Sequence, residues 1–335
     1  MNNILVTGGA GYIGSHVIEK LEKTNSNIVI IDNLKTGFKK LINSKVEFIK
    51  GDINNIKLVK KIINKKKINT IIHLAGLIDS AESEKKKKKY FRNNVTGTLN
   101  LIKACKNSEV INFIFSSSAS VYGNVSRAAV ETMPLKPNNY YAYTKLKCEK
   151  IIKKYSKIYN YNYSILRLFN ACGATSSGKL GILSKKNKSF FKILAKKSFK
   201  KNPIINIYGN NHDTKDGTCV RDFIHVSDLA LLHVKCLDYL IKKRKSLLIN
   251  CGYGVGYSVL SIVKLFQKKI NKTIRIKFIK KRKGEISVSY ANINKMKKIL
   301  KWKPKYNKIE HILKSSIKWE KTIYSKNRIK KINFY

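Results

Sequence analysis

The stretch Ile4-Leu5-Val6-Thr7-Gly8-Gly9-Ala10-Gly11-Tyr12-Ile13-Gly14 decides the fold. A short apolar run stops on Gly8, Gly11 and Gly14, and an amphipathic pattern follows to about Lys23, which reads as strand, glycine turn, helix. Glycines at these positions let the backbone approach a pyrophosphate held at the helix N-terminus. They would also serve an ordinary tight turn, so the surrounding chain has to decide. A second apolar run, Ile28 to Ile31, ends at Asp32, 18 residues after Gly14. A carboxylate there accepts both adenosine ribose hydroxyls and repels a 2′-phosphate, which favours NAD over NADP. Helix capping is the alternative use of Asp32.

The alternation continues outward. Val46–Ile49 precedes Asp52, a helix is expected near 56–65, a strand at Thr70–Ala75, a helix near 91–107 and a strand at Asn112–Ser116. A helix from about Tyr141 to Tyr159 and a strand at Ser164–Phe169 follow. Strands alternating with helices imply an α/β fold whose doubly wound parallel sheet, of the Rossmann type, is covered on both faces. Beyond Asn170 the rhythm loosens into a Gly/Ser/Lys-rich stretch and shorter elements. We expect a dinucleotide-binding unit over 1–170 and a smaller C-terminal substrate domain over 171–335, with segments of 224–251 as candidates to pack back on the first.

Composition narrows the function classes. The chain has 335 residues and a net charge of +51, from 70 Lys+Arg against 19 Asp+Glu. Only eight of the 70 are Arg, and the lysines spread through nearly every segment. Nucleic-acid binders usually cluster charge and use Arg, whose planar fork reads phosphates and bases. Solvated lysine faces are therefore expected, with no specific nucleic-acid partner; a lysine-rich polyanion binder on a retained fold is the rival from another class. The Lys85–Lys89 run reads as an exposed helix lead-in. No apolar run reaches 18 residues, so no membrane span is expected. The first strand begins almost at Met1, leaving no room for a signal peptide, and a cytoplasmic location is expected. The six cysteines lie far apart without C-x-x-C spacing, which fits reduced thiols and no structural metal.

A second constellation is Tyr141-x-x-x-Lys145 with Ser118 upstream. Four residues apart on a helix, phenol and ammonium share a face. A nearby ammonium, with the positive ring of a nicotinamide, favours phenolate, as a general base requires. Alone the spacing would arise by chance in so lysine-rich a chain with 18 Tyr. The run Phe115-Ser116-Ser117-Ser118-Ala119-Ser120-Val121-Tyr122-Gly123, downstream of the glycine turn, gives it meaning.

With these segments the chain resembles the extended short-chain dehydrogenase/reductase family, and within it the members that epimerise UDP-hexoses at carbon 4. The likeness runs through Asn93-Asn94-Val95-Thr96-Gly97-Thr98, Arg167-Leu168-Phe169-Asn170 and, most specifically, Asp216-Gly217-Thr218-Cys219-Val220-Arg221-Asp222-Phe223-Ile224-His225-Val226. The resemblance implies NAD contacts at Tyr12, Ile13, Asp32, Asn33, Asp52, Ile53, Leu74, Ala75, Gly76, Asn93, Ser118, Tyr141, Lys145 and Phe169. It implies UDP-hexose contacts at Asn170, Asn206, Tyr208, Arg221, Arg282 and Glu285, and a homodimer built on the helices near 91–107 and 141–159. The implied reaction interconverts UDP-galactose and UDP-glucose. Sugar-nucleotide dehydratases carry an acid just after the active-site Ser/Thr, whereas Ala119 and Ser120 stand here, which disfavours elimination.

Several positions depart from the family pattern. Tyr140 stands for a common proline, Ala142 for a glycine, Leu168 for a tyrosine and Glu285 for an aspartate. The segment 182–192 lacks the usual acid, the Asn or His facing the sugar nucleotide, and the following proline, leaving Ser189-Phe190-Phe191-Lys192. Ser289, four residues after Glu285, stands where strict hexose enzymes carry a tyrosine beside the sugar 2-position.

Overall fold

The computed structural model describes residues 2–183, 189–282 and 285–332, with side chains to 325. Six strands come from the first half of the chain: β1 (Asn2–Thr7), β2 (Ser26–Asp32), β3 (Glu47–Lys50), β4 (Thr70–His73), β5 (Asn112–Ser118) and β6 (Asn162–Leu168). The strand Leu247–Cys251 joins them as the seventh, outside β6, in the order Leu247–Cys251, β6, β5, β4, β1, β2, β3. Every pairing is parallel. Parallel neighbours need crossovers, and the helices that make them cover both faces. One apolar layer includes Leu5, Ile71, Phe113 and Phe115 with Val59, Leu101 and Ile152. The other joins Ile4, Val6, Ile72 and Ile114 to Val17, Leu229 and Leu237. Alternate residues of each strand thus enter opposite layers, as period two requires.

The crossover helices of the first half are α1 (Tyr12–Leu21), α2 (Ile56–Lys65), α3 (Ser80–Lys85), α4 (Lys87–Tyr90), α5 (Gly97–Ala104) and α6 (Tyr140–Tyr159). The expected helix over 91–107 begins instead as a π-helical turn, Phe91–Thr96, that runs into α5. The expected strand Thr70–Ala75 ends at His73, because Leu74 to Gly76 turn across the glycine loop. The lysine run lies exposed across the end of α3 and α4.

Beyond residue 170 the helix Val226–Lys243 and the strand Leu247–Cys251 return to the sheet, so the sheet draws on both sides of that point. The remaining chain builds small sheets. Ile204–Tyr208 pairs with Arg275–Ile279, and Val220–Arg221 lies between Tyr257–Ser258 and Val288–Ser289. A long C-terminal helix, Ile309–Ile332, which the loosened sequence rhythm did not announce, lies against Phe190–Lys197. The described ends of the unusual 182–192 segment pack there. Phe191 meets Phe223 edge-on at 5.0 Å between centroids, and the buried Lys192 donates from Nζ to the Ile182 carbonyl at 3.1 Å. Residues 184–188 of that segment lie outside the described residues, as do Lys283 and Gly284 between Arg282 and Glu285.

Candidate active site

The sheet order reverses at β1, whose neighbours are β2 and β4, and a ligand crevice opens at the carboxyl ends of strands at such a point. The glycine turn sits there because no larger residue fits. Gly8 has φ +71°, and a Cβ on it would lie 2.6 Å from the Ala75 nitrogen. A Cβ on Gly14 would run into the Gly8 carbonyl and lie 2.8 Å from the Gly9 Cα. Gly11 occupies the N-cap of α1 with no side-chain cap, so first-turn N–H groups are not claimed by a cap. A close backbone cradle ending in a helix N-terminus fits a dinucleotide pyrophosphate. Tyr12 and Ile13 form the first turn, half-buried, and the Tyr12 hydroxyl donates to the Gly173 carbonyl at 2.7 Å.

Asp32 closes β2 with its carboxylate turned back on the turn. It accepts from the Ala10 nitrogen at 3.1 Å and the Leu34 nitrogen at 2.8 Å. Burial raises its pKa, and those two bonds oppose the rise. It caps no helix. Asn33 donates to Asp52 at 2.9 Å, and Asp52 also takes the Asn54 backbone and side chain. Burial works against ionisation of Asp52, but these donors and Lys35 outweigh it and hold the carboxyl at about 2. Ile53 is buried against Gly97, where a Cβ would lie 2.9 Å from its Cδ1. Leu74, Ala75 and Gly76 form the opposite wall; Leu74 and Ala75 are bonded to Thr7, through its carbonyl and hydroxyl. Phe169 is buried and donates from its nitrogen to the Cys251 carbonyl.

Of the two asparagines in the π-helical turn, the structure gives the buried bridging role to Asn94. Its amide donates to the Leu77 carbonyl (3.0 Å) and to Thr144 on α6 (3.1 Å), and its oxygen accepts from the Leu77 nitrogen (2.9 Å). Asn93 is half-buried and donates to Asn94 at 3.0 Å. Sequence alone assigns no role to Asn94; the signal for it is a pair of adjacent asparagines inside a helical pattern.

The catalytic candidates meet where α6 starts over the end of β5. Asn139 caps α6 by accepting from the Ala142 nitrogen at 2.9 Å, and the Ser83 hydroxyl accepts from the Tyr141 nitrogen at 3.0 Å. The Ser118 hydroxyl bonds the Tyr141 phenol and lies 2.8 Å from the Ser120 hydroxyl. Lys145 is buried, with Nζ donating to the Ser116 carbonyl at 2.7 Å and lying 4.7 Å from the Phe115 ring centroid. A Cβ on Gly76 would sit 3.5 Å from that Nζ, so the ammonium faces the cofactor wall. Burial pushes Tyr141 up to about 12, a rise that the Ser118 bond opposes, and brings Lys145 down to about 8. The expected depression of Tyr141 by Lys145 is thus not reached by the protein's own groups. Desolvation dominates at the phenol, while the Lys145 ammonium is turned toward the Ser116 carbonyl.

The substrate candidates gather on the small sheets. Arg221 pairs in register with Ser289 on one side and Tyr257 on the other, and its guanidinium donates to the carbonyls of Val220 (2.9 Å) and Ser287 (3.2 Å). Arg282 stacks on the Tyr208 ring at 3.6 Å, and its nitrogen donates to Glu285 at 3.3 Å. Asn206 and Asn170 are exposed; the Asn170 nitrogen donates to the Asp222 carbonyl. Among the described residues His212, Cys219 and Glu285 form a group whose potential ligand atoms lie within 4.8 Å of one another. The charges of Arg221, Arg282 and Glu285 all act at the Cys219 thiol, and the two guanidiniums oppose a cation there.

A glycine-cradled dinucleotide crevice with a Ser/Tyr/Lys set at its mouth defines a nicotinamide-dependent enzyme of the short-chain type. Residues 4–252 match the NAD dependent epimerase/dehydratase family, and the chain belongs to that family. It is 35% identical over 321 residues to a UDP-glucose 4-epimerase of Azospirillum brasilense, covering 96% of this chain and 92% of that one. Among solved structures it is similar to a UDP-glucose-4-epimerase of Stenotrophomonas maltophila with bound NAD and formylated UDP-arabinopyranose. That likeness has a TM-score of 0.91 and 30% identity, and covers 97% of this chain and 99% of the other. A UDP-Glc/GlcNAc 4-epimerase of Campylobacter jejuni superposes with a TM-score of 0.82 at 36% identity, covering 96% of this chain and all of that chain (100%).

Proposed function

We propose that this protein interconverts UDP-galactose and UDP-glucose by inverting carbon 4 of the hexose, with NAD seated on the glycine turn. The convergence of Ser118, Tyr141 and Lys145 beside Gly76 carries the reading. Bound NAD supplies a hydride acceptor, later the donor, and a positive ring charge. Tyr141 takes the 4-hydroxyl proton, directly or through Ser118, and returns it once the sugar has turned over. Ser118 donates to the oxygen as it becomes alkoxide or ketone. Lys145 binds the ribose next to the reacting ring and adds its charge to the field that ionises Tyr141. Arg221 and Arg282 clamp the diphosphate, and Glu285 lies with them on the nucleotide-sugar side.

Two further elements belong to this proposal. Phe91 and Ile158, on the helices that the family uses to dimerise, remain 39% and 57% exposed, and a second copy covers them. Sedimentation at micromolar concentration should therefore give twice the 38.3 kDa of the chain; a 38.3 kDa species would remove the dimer. The six cysteines are free and buried, in keeping with work in the reducing cytoplasm; among the described residues no helix is long and apolar enough to cross a membrane.

The sugar specificity follows from Ser289. Serine removes most of a phenol's volume beside the hexose 2-position, and the freed space admits an acetamido group. The neighbouring Tyr290 is the group that would have to refill it; its ring carbons lie 3.5 Å from the Cβ position of Gly256, and its carbonyl accepts from the Ala129 nitrogen at 2.8 Å. The deciding experiment releases bound cofactor from purified protein, records its spectrum and assays UDP-galactose conversion. Absence of both NAD and conversion would overturn the enzyme reading.

A further inference from the structure

Three consecutive serines at the end of β5 each hold a residue of α6. The Ser118 hydroxyl bonds Tyr141, the Ser116 carbonyl accepts from Lys145 at 2.7 Å, and the Ser117 hydroxyl donates to Glu149 at 2.5 Å. Tyr141, Lys145 and Glu149 follow one another at intervals of four, so they share one helix face. Tyr141 and Lys145 are the proposed reacting pair, whereas Glu149 is sealed in the interior. Its carboxylate takes Arg167 through Nε (3.1 Å) and NH2 (2.8 Å), and the two side chains are 1% and 2% exposed.

Arg167 stands directly opposite Ser117 in the register of β5 and β6, so both side chains reach the same face and share one carboxylate oxygen. The ion pair alone fastens α6 to β6, a strand that carries no member of the reacting set. The Ser117 hydroxyl adds a direct side-chain tie from that anchor to β5, on top of the β5–β6 pairing, between the carbonyl that holds Lys145 and the hydroxyl that meets Tyr141. We propose that Ser117 is a positioning residue for the reaction. Through Glu149 it locks the height of α6 against β5, and thereby the Ser118 to Tyr141 bond. The inference rests on the epimerase reading above and adds to it a residue that touches neither sugar nor cofactor.

Ser117→Ala tests it with little risk to the fold, since both carboxylate oxygens of Glu149 keep their Arg167 partners. Tenths of an ångström of slip should lower kcat on the order of tenfold while KM for UDP-galactose stays within about twofold, since misplacement of reacting groups is felt in the chemical step. The apparent pKa of the acid limb of kcat should rise, because a slackened Ser118 bond stabilises the Tyr141 phenolate less. Ser117→Thr, which restores the hydroxyl, should recover both. Ser117→Cys, a near-isosteric weak donor, should fall between and decides the matter if the alanine variant does not fold. Wild-type kcat and limb in Ser117→Ala, or a loss that Thr does not repair, would overturn the proposal. An inactive wild type would instead remove the epimerase reading on which it rests.

Discussion

Tyr140 and Tyr141 are adjacent phenols in opposite surroundings. Tyr140 is half-buried among surface groups, 5.4 Å from the Tyr143 ring centroid, with Lys87 Nζ 5.6 Å from its own. Tyr141 turns inward to Ser118 and lies four residues before Lys145. Tyr141→Phe should therefore keep fold and NAD binding but lower turnover by a factor on the order of 10² or more, the loss expected on removing a general base. Tyr140→Phe should keep near-wild-type turnover, and a larger defect there would show the base to be misassigned. Ser289 is the second single-residue lever. Wild type should convert UDP-N-acetylgalactosamine beside UDP-galactose, and Ser289→Tyr should lose the acetylated substrate while keeping the hexose, because restored bulk excludes only the larger group. Indifference of the wild type to the acetylated sugar would dispose of the idea.

At the scale of elements, the π-helical turn Phe91–Thr96 aims Asn94 at the loop after β4 and at α6 together. Such turns put one extra residue into a helix and re-aim a side chain. Asn94→Ala leaves the Leu77 nitrogen and carbonyl without their Asn94 partner, while the Thr144 hydroxyl keeps only its bond to the Tyr141 carbonyl, so a stability loss of about 1–3 kcal/mol in urea unfolding is expected, the cost of unsatisfied buried groups. Weaker NAD binding should accompany it, since Leu77 follows the wall residue Gly76. Periodicity made the existence and order of β1 to β6 legible, because buried parallel strands read as apolar runs between helices. It could not show the π turn, which shifts the face by one residue without changing composition. The C-terminal helix Ile309–Ile332 also escaped it, since Ser315, Ser316 and Glu320 stand among Ile309, Ile312, Leu313 and Trp319 on its buried face and break the apolar period. Within the site, residues on the glycine turn and on α6 were legible only in context, from the strand and helix around the glycines and the serine run before Tyr141. The Ser117, Glu149 and Arg167 network was not, since it depends on which residues of two strands fall opposite each other.

For the molecule as a whole, the +51 charge is carried by scattered lysines, and among the described residues the one fully buried ion pair is Arg167 with Glu149. pH sensitivity near neutrality therefore rests mainly on buried histidines. His16, His73, His225 and His233 are each 0–1% exposed, and burial is the largest cause in lowering them from 6.5 to about 4, 3, 3 and 4. Their bonds explain why the neutral ring is kept. In His233, Nδ1–H donates to the Leu229 carbonyl at 2.8 Å, which leaves Nε2 to accept from Ser116 at 2.8 Å. The unfolded chain binds protons at these positions as pH falls through about 6.5, while the folded chain does not until about 4, so unfolding takes up protons in that window. Stability from these groups is complete above 6.5 and drains away as pH falls toward 4. Asp222 acts in the opposite sense, since burial, against bonds from the Tyr253, Gly254 and Ala291 nitrogens, raises it to about 6, and burial raises Asp32 and Glu320 as well, so these acids offset part of the effect of the four histidines. Thermal unfolding should accordingly show Tm falling steadily between pH 7 and 4.5. Calorimetry at pH 5 in buffers of differing ionisation heat should show net proton uptake on unfolding, and a flat Tm with no uptake would mean that the four rings are not held neutral by the fold.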